Sequence, residues 1–183
     1  MTRIPLILSL LALLPASAIA QNTWYVPDDF PTIQAGIDGS VNGDTMIVRD
    51  GTYFENINFN GKAITLKSEN GPATTIIDGN QAGNVVRIES GEGSDSVFEG
   101  FTVTNGNAFQ GGGMYCRNDS SPTLTDCTFT NNTATYGSGG MYCYSSSPTL
   151  TDCTFTNNTA SYEGGGMVCN EYSSPTLDNC TFT

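Results

Sequence analysis

The sequence predicts an all-β solenoid, a parallel β-helix of about six to seven coils with a short N-terminal capping helix. Three observations predict it. The first is a repeat. Residues Gly111–Thr183 write one unit three times, the third copy stopping partway. Met114, Met141 and Met167 recur at intervals of about 26 residues, and so do Cys127, Cys153 and Cys180. Self-similarity at such a period is the signature of a stacked architecture. The second is alternation. Cys127 and Phe129 fall on one face of a strand, Thr128 and Thr130 on the other. The third is turn chemistry, with Ser-Ser-Pro, Asn-Asn and Gly runs recurring at fixed offsets. A unit of this length holds three short strands and three turns, one coil. Coils stacked at about 4.7–4.9 Å would set equivalent residues into columns. Leu124, Leu150 and Leu177 are expected inside, with the Met, Phe and two Cys columns. Asn131 and Asn157 are expected to form an amide ladder at a turn.

Residues 1–20 read as a signal peptide. Arg3 supplies the positive start, Ile4–Leu14 an apolar run, and Ala18-Ile19-Ala20 a small-residue cleavage site. The remainder, 21–183, reads as a single β-helix domain. No other stretch is apolar enough to cross a bilayer as a helix, so no transmembrane helix is expected after cleavage. The expected location is secreted or cell-surface, outer-membrane-associated if residues beyond Thr183 carry an anchor. The net charge of −12, from 18 acidic and 6 basic residues, argues against nucleic acid, whose phosphates need Lys and Arg.

Trp24–Val26 is the first predicted strand. Thr32 is placed as the N-cap of a helix in which Ile33 and Ile37 share a face. Gly36 and Gly39 hold that helix to two or three turns. Its expected role is to cover the first coil, whose edge and core would otherwise be open. Strands follow at 45–48, 53–59, 63–66 and 75–77. Between them lie turns at Gly43-Asp44, Asp50-Gly51, Asn60-Gly61 and Asn70-Gly71-Pro72. Residues 24–80 therefore form the cap and first coils. Val85–Ile88 and Val97–Asn105 continue the winding. Phe101, Val103 and Asn105 each stand one period before Cys127, Phe129 and Asn131, so the repeats run from 97 to 183. The last predicted strand reaches Thr183 without a capping element, and a continuation of the protein is expected there.

Two resemblances follow from these residues. Phe129-Thr-Asn-Asn132 and Phe155-Thr-Asn-Asn158 resemble the Phe-x-x-Asn half of the polymorphic outer-membrane protein repeat. Gly112-Gly113-Met114 is similar to its Gly-Gly-Ala-Ile half, with Met where that family has Ala and then a branched aliphatic residue. The resemblance covers roughly the last 70 residues. It implies a right-handed parallel β-helix and a secreted or surface-attached protein, often an adhesin. Residues 24–80, with Thr32-Ile-Gln-Ala, Gly43-Asp-Thr, Gly51-Thr-Tyr-Phe-Glu-Asn-Ile and Ile76-Ile-Asp-Gly79, resemble the opening of the pectin-lyase-like superfamily. Within it they look most like copper-processing periplasmic β-helix proteins and pectin methylesterases. That resemblance marks entry into the fold rather than a site.

The chemistry of the chain is sparse. It has no His, which removes the commonest general base and metal ligand. The Gln-Asp-Thr and Asp-Phe-Ile-Phe-Gly motifs of pectin methylesterases do not occur, and no carboxylate pair stands at a glycosidase-like spacing. No catalytic residue, cofactor or enzymatic activity is expected within these residues. Six cysteines in an exported chain suggest disulfides. Here they form two columns, Cys116, Cys143, Cys169 and Cys127, Cys153, Cys180. Their in-register spacing is long for Cβ atoms of a disulfide, and free buried thiols are the expected state. Asp126 and Asp152, stacked with Asn179, offer two carboxylates for Ca²⁺; solvated turn residues is the plainer reading. Thr102, Thr104, Thr128, Thr130, Thr154 and Thr156 would line one face, and such ladders resemble those of ice-binding solenoids. Threonine is also an ordinary exposed strand residue. Tyr115 and Tyr142 are expected to point outward on neighbouring coils, where aromatic rings can stack on sugars.

The leading reading is a structural or adhesion module that binds a surface polysaccharide or protein receptor without catalysis. The alternatives are a fragment of a carbohydrate-active β-helix enzyme, polysaccharide lyase-like, with its active site outside this chain, and ice binding. Oligomeric state is not legible. Export with cleavage after Ala20 is expected to give a mature chain starting at Gln21. Intact-mass measurement of the exported protein checks this, and a soluble exported form that keeps Met1 would disprove it.

Overall fold

The computed structural model describes residues 21–183; the predicted signal peptide lies outside the described residues. The chain winds through about six right-handed turns, laying strands side by side in parallel sheets. One sheet holds seven strands, from Thr23–Val26 through Thr45–Val48, Thr65–Ser68, Val97–Glu99, Thr123–Thr125 and Thr149–Thr151 to Thr176–Asp178. A second holds six, from Gly51–Phe54 through Thr75–Asp78, Thr102–Thr104, Thr128–Thr130 and Thr154–Thr156 to Thr181–Phe182. A third holds five: Ile57–Asn58, Val86–Ile88, Met114–Arg117, Met141–Tyr144 and Met167–Asn170. The later coils add a fourth, two-residue strand that the sequence reading lacked, at Asn107–Ala108, Thr133–Ala134 and Thr159–Ala160. The predicted strand 53–59 is divided, because the chain turns a corner between Phe54 and Ile57.

The register follows the repeat. Met114 pairs with Met141 and Met141 with Met167; Cys116, Cys143 and Cys169 pair in the same way. Leu124, Leu150 and Leu177 form one column, and Val103, Phe129, Phe155 and Phe182 another. Side chains alternate between faces, so a slip of one residue would exchange every Phe for a Thr. Phe129 and Phe155 are buried, and their rings stack at 4.8 Å with 5° between planes. Phe155 and Phe182 repeat the arrangement at 4.7 Å. These distances equal the strand spacing, so each ring sits on the one below as its backbone does. On the last rung, Leu177, Phe182 and Cys169 are exposed, since no further coil lies over them.

Corners are made by residues in the left-handed region. Gly100, Asp126, Asp152 and Asn179 have φ of 78°, 50°, 55° and 50°; Asn105, Asn131 and Asn157 have 56°, 55° and 54°. Gly, Asn and Asp are the residues that adopt this conformation at least cost. The Asn131/Asn157 ladder is corrected by this geometry. The left-handed turn leaves Asn131 and Asn157 in water and turns the following residue inward. The inward ladder is Asn132 and Asn158. Asn132 Nδ2 donates to the Val103 carbonyl at 2.9 Å and to Asn158 Oδ1 at 3.0 Å, and its Oδ1 accepts from Gly106 N at 2.8 Å. Asn158 Nδ2 donates to the Phe129 carbonyl at 2.8 Å. Opposite, the Gly runs permit close backbone approach: a Cβ on Gly112 would lie 2.3 Å from Thr133 O, and one on Gly139 2.4 Å from Thr159 O.

The N-terminal end is closed as expected. The helix spans Ile33–Gly39, and the Thr32 hydroxyl accepts from Ala35 N at 3.1 Å. Glu55 accepts from Ile33 N and Gln34 N, both at 2.9 Å, and Lys62 Nζ donates to the carbonyls of Ile37, Asp38 and Ser40. Ile33 and Ile37 are buried in the same core as Met46. Asp44 ties the first coil together, accepting from Asn22 N at 2.8 Å, Trp24 Nε1 at 3.0 Å and Val41 N at 3.1 Å. Burial acts to raise the Asp44 pKa, but these hydrogen bonds together outweigh it and hold the carboxyl below its ordinary value.

Phe155→Ala removes the middle ring of a stack and is expected to cost about 3–5 kcal/mol, against well under about 1 kcal/mol for Thr154→Ala. Denaturant unfolding of residues 21–183 measures both; a costlier Thr154→Ala would overturn the assignment of faces. Asp44, with its folded pKa depressed, contributes stability above its unfolded pKa of about 3.9 that is lost as pH falls through the folded value. Asp44→Asn is therefore expected to lower stability at neutral pH and to flatten the loss below about pH 4. Unfolding midpoints at graded pH measure this; an unchanged acid limb would disprove it.

Candidate ligand-binding surface

The threonine ladder forms in register. Thr102, Thr128 and Thr154 pair in one column, and Thr104, Thr130 and Thr156 in the next. All six are half-buried rather than freely exposed as expected, and the Thr102 hydroxyl donates to the Pro72 carbonyl at 2.7 Å. Neighbouring side chains in a tight parallel ladder cover part of each other. Toward the N-terminus the columns continue as Ile76 and Asp78, then Thr52 and Phe54. The pattern is interrupted there.

Asp126 and Asp152 sit at the left-handed corner and are exposed, and Asp152 accepts from Asn179 Nδ2. Among the described residues no group of three or more His, Cys, Asp or Glu converges as a metal site would require. The six cysteines are free. Cys116, Cys127, Cys143 and Cys153 are buried, and the Cys116 thiol donates to the Ser120 carbonyl at 3.3 Å. Burial, with the neighbouring Cys153 thiol, raises the Cys127 pKa; hydrogen bonds with Cys116 and Cys169 raise that of Cys143. The exposed Cys169 is moved the other way, lowered by its hydrogen bond with Cys143. The buried thiols with raised pKa, Cys127 and Cys143, are therefore poor nucleophiles that act as small apolar fillers.

Tyr115 and Tyr142 stack at 5.9 Å as neighbours in one column. Their outward placement is corrected for Tyr142, which is 3% exposed. The loop before it folds over the ring: a Cβ on Gly137 would lie 2.6 Å from Tyr142 Cδ2. Asn170 Nδ2 donates to the Tyr142 hydroxyl at 3.0 Å. Burial pushes its phenol above the ordinary pKa. Tyr115 is half-buried with the Arg117 guanidinium 5.4 Å from its ring centre. The Tyr142 ring offers no open face.

The loop that covers Tyr142 carries instead an aromatic column that the sequence reading missed. Phe109, Tyr136 and Tyr162 are 66%, 41% and 76% exposed. Phe109 and Tyr136 stack at 5.6 Å with 8° between planes; Tyr136 and Tyr162 lie 5.8 Å apart, tilted by 35°. Backbone hydrogen bonds from Tyr136 N to Phe109 O at 2.9 Å and from Ser161 N to Ala134 O at 3.2 Å carry the ladder through this loop; Tyr136 and Tyr162 follow its register, and Phe109 stands one residue off it, opposite Thr135. The signal was present. These residues recur at the same intervals as the methionines, but Phe in the first copy and a flanking sequence that changes with each coil concealed it. Elsewhere a shallow depression of about 600 Å³ against the first coils, lined by Gln21, Asn42, Thr65, Ser94, Asp95 and Val97 among others, holds a single carboxylate, Asp95.

Comparison with known proteins agrees with the fold. Two solved structures of pectin methylesterase are similar. One, in complex with hexasaccharide VII, has a TM-score of 0.60 at 12% identity, covering 90% of this chain and 67% of that one. The other, a point mutant in complex with hexasaccharide IV, has a TM-score of 0.57 at 10% identity over 90% and 67% of the two chains. At these identities the likeness is one of fold. A search of curated proteins finds no match. A family model described as the right handed beta helix region matches residues 35–183. With its parallel sheets, in-register columns and right-handed winding, the chain belongs to that right-handed β-helix family.

Proposed function

We propose that this chain is a binding segment of a secreted or cell-surface β-helix protein, which holds a polysaccharide against the outside of its coils without acting on it. The carrying observation is the exposed column Phe109, Tyr136 and Tyr162. Large aromatic rings left in water in a regular row, above a core that buries five other Phe side chains fully, are an interaction surface. A rigid ladder beneath them fixes their spacing before a ligand arrives, which reduces the ordering cost of binding. The extended sheets and all-parallel stacking provide a scaffold on which such a row can be lengthened coil by coil.

A second reading draws on the fold of the two pectin methylesterases, which hold hexasaccharides. In it this chain is part of a carbohydrate-active β-helix enzyme whose reacting groups lie on other coils. The aromatic column then serves the same ligand. Ice binding is less well supported, because Ile76, Asp78 and Phe54 interrupt the threonine face.

The test is retention of residues 21–183 on columns of immobilised plant and bacterial polysaccharides, with product analysis of the same mixtures. Retention on at least one polysaccharide is expected, reduced by about tenfold or more in affinity for Tyr136→Ala, with no bond cleaved. Turnover that is lost on changing a single acidic residue would replace the non-catalytic reading. Retention that is indifferent to Tyr136→Ala would remove the column from the site.

A further inference from the structure

The aromatic surface leaves the Met column and the Cys column beside it without a role, and the two are one pattern. Met-x-Cys is written three times, at Met114-Tyr-Cys116, Met141-Tyr-Cys143 and Met167-Val-Cys169. Residues two apart share a face of a strand, and the three strands pair in register. Thioethers and thiols therefore lie side by side on the inner face of one sheet. Met114, Cys116, Met141 and Cys143 belong to the core, and Met167 packs against it. Cys169, in the same column, is exposed on the last rung. The strip of sulfur thus runs from the core out to water.

Its thiols are not alike. The Cys116 thiol donates to the Ser120 carbonyl at 3.3 Å. In the other column Cys127, Cys153 and Cys180 donate to the carbonyls of Thr125, Thr151 and Asp178 at 3.2, 3.4 and 3.4 Å. Among the described residues Cys143 and Cys169 have no carbonyl acceptor; their hydrogen bonds are with thiols of their own column. The other column also lacks thioethers, because the residues two after its cysteines are Phe129, Phe155 and Phe182. Cys143 and Cys169, with Met167 on the open rung, are therefore the sulfurs least committed to the fold.

The donor set selects the ion. No three of His, Cys, Asp and Glu converge among the described residues, which excludes a four-coordinate Zn²⁺ centre. Thiolate and thioether sulfurs are soft donors and favour soft ions such as Cu(I). Such an ion is satisfied by two or three sulfurs. A single thiolate balances a single positive charge, and a neutral assembly costs least to hold against an apolar core. A divalent ion would require a second thiolate, from the buried Cys143. We infer that Cys143, Cys169 and Met167 bind a soft monovalent cation of the Cu(I) or Ag(I) kind. The exposed Cys169 thiol gives its proton to water, and its sulfur forms the bond to the ion. Met167 and the neutral Cys143 thiol each add a sulfur lone pair and lose no proton.

Silver(I), which needs no reductant to stay monovalent, is the probe. Fully reduced residues 21–183 are titrated in chloride-free buffer with a free monothiol in excess, so that a lone thiol does not register. Native mass spectrometry is expected to show about one ion retained per chain, and calorimetry in buffers of different ionisation enthalpy about one proton released with it. Cys169→Ser and Met167→Leu should each weaken retention by about tenfold or more. Met167→Leu nearly keeps the side-chain volume, so its unfolding midpoint should match the parent's. Cys180→Ser should leave retention unchanged, and Zn²⁺ should not be held. Silver retained equally by Met167→Leu, or lost as much in Cys180→Ser as in Cys169→Ser, would overturn the placement. Zn²⁺ held as tightly as silver would overturn the class of ion. A Cys143–Cys169 disulfide that forms in air, with no silver retained by the reduced chain, would overturn the site altogether, as would no retention against the monothiol.

Discussion

Parallel, in-register stacking at a single rung spacing is the constraint on which the rest of this structure depends. Each coil hydrogen-bonds the next through its backbone, so a residue's neighbours above and below are its equivalents one period away. That condition makes every position a column, and a column must suit itself. Phe129, Phe155 and Phe182 satisfy it by ring stacking. Asn132 and Asn158 satisfy it because an amide both donates and accepts, so one side chain can serve the next and still bind the backbone. Like charges would fail the same condition, and inside the later coils the columns are Met, Cys, Leu, Phe and Asn.

Much of this was legible in the sequence, and the reason is the same constraint. The repeat period names the partner of each residue, and alternation names its face. The Met, Leu, Phe and Cys columns, the helix with Thr32 as cap, and the corner at Asp126 and Asp152 were readable in that way. What was missed depended on conformation within a corner. Asn131-Asn132 gives two equivalent amides in sequence. The left-handed φ at Asn131 decides which one faces the core, and that follows from how two strands meet, not from composition. Tyr142 was misplaced for a related reason. Period 2 puts it on the outer face of its strand, which is correct, but the loop through Gly137 closes over that face. Alternation tells the inside from the outside of a sheet; it does not tell what else covers the outside.

The same loop explains why the candidate site lay outside the sequence reading. Strand positions in this fold repeat their residue types closely, since a poor fit in the core or ladder is costly. Loop positions are freer, and the ring column changes from Phe109 to Tyr136 and Tyr162 while its flanking residues change as well. Yet the backbone there remains hydrogen-bonded coil to coil. The loop is thus ordered like a strand and variable like a surface. A ligand row built in this place combines fixed spacing with side chains that the core does not dictate, whereas the Thr columns, half-covered by their own neighbours, have less surface to offer.

The burial of Tyr142 beneath the ring-bearing loop supports the outer column from below. Tyr115 and Tyr142 fill the space under the turn, Asn170 holds the Tyr142 hydroxyl, and Gly137 permits the close contact. A side chain at Gly137 would push the loop off Tyr142 and break the rise from Phe109 to Tyr136. The residues that looked like the site are in this way its support, and the column they support is set outward by one layer. In a solenoid this division is natural: the sheet fixes the pitch, a buried aromatic layer transmits it to the loop, and the loop displays it to the solvent at a spacing slightly wider than the core's own.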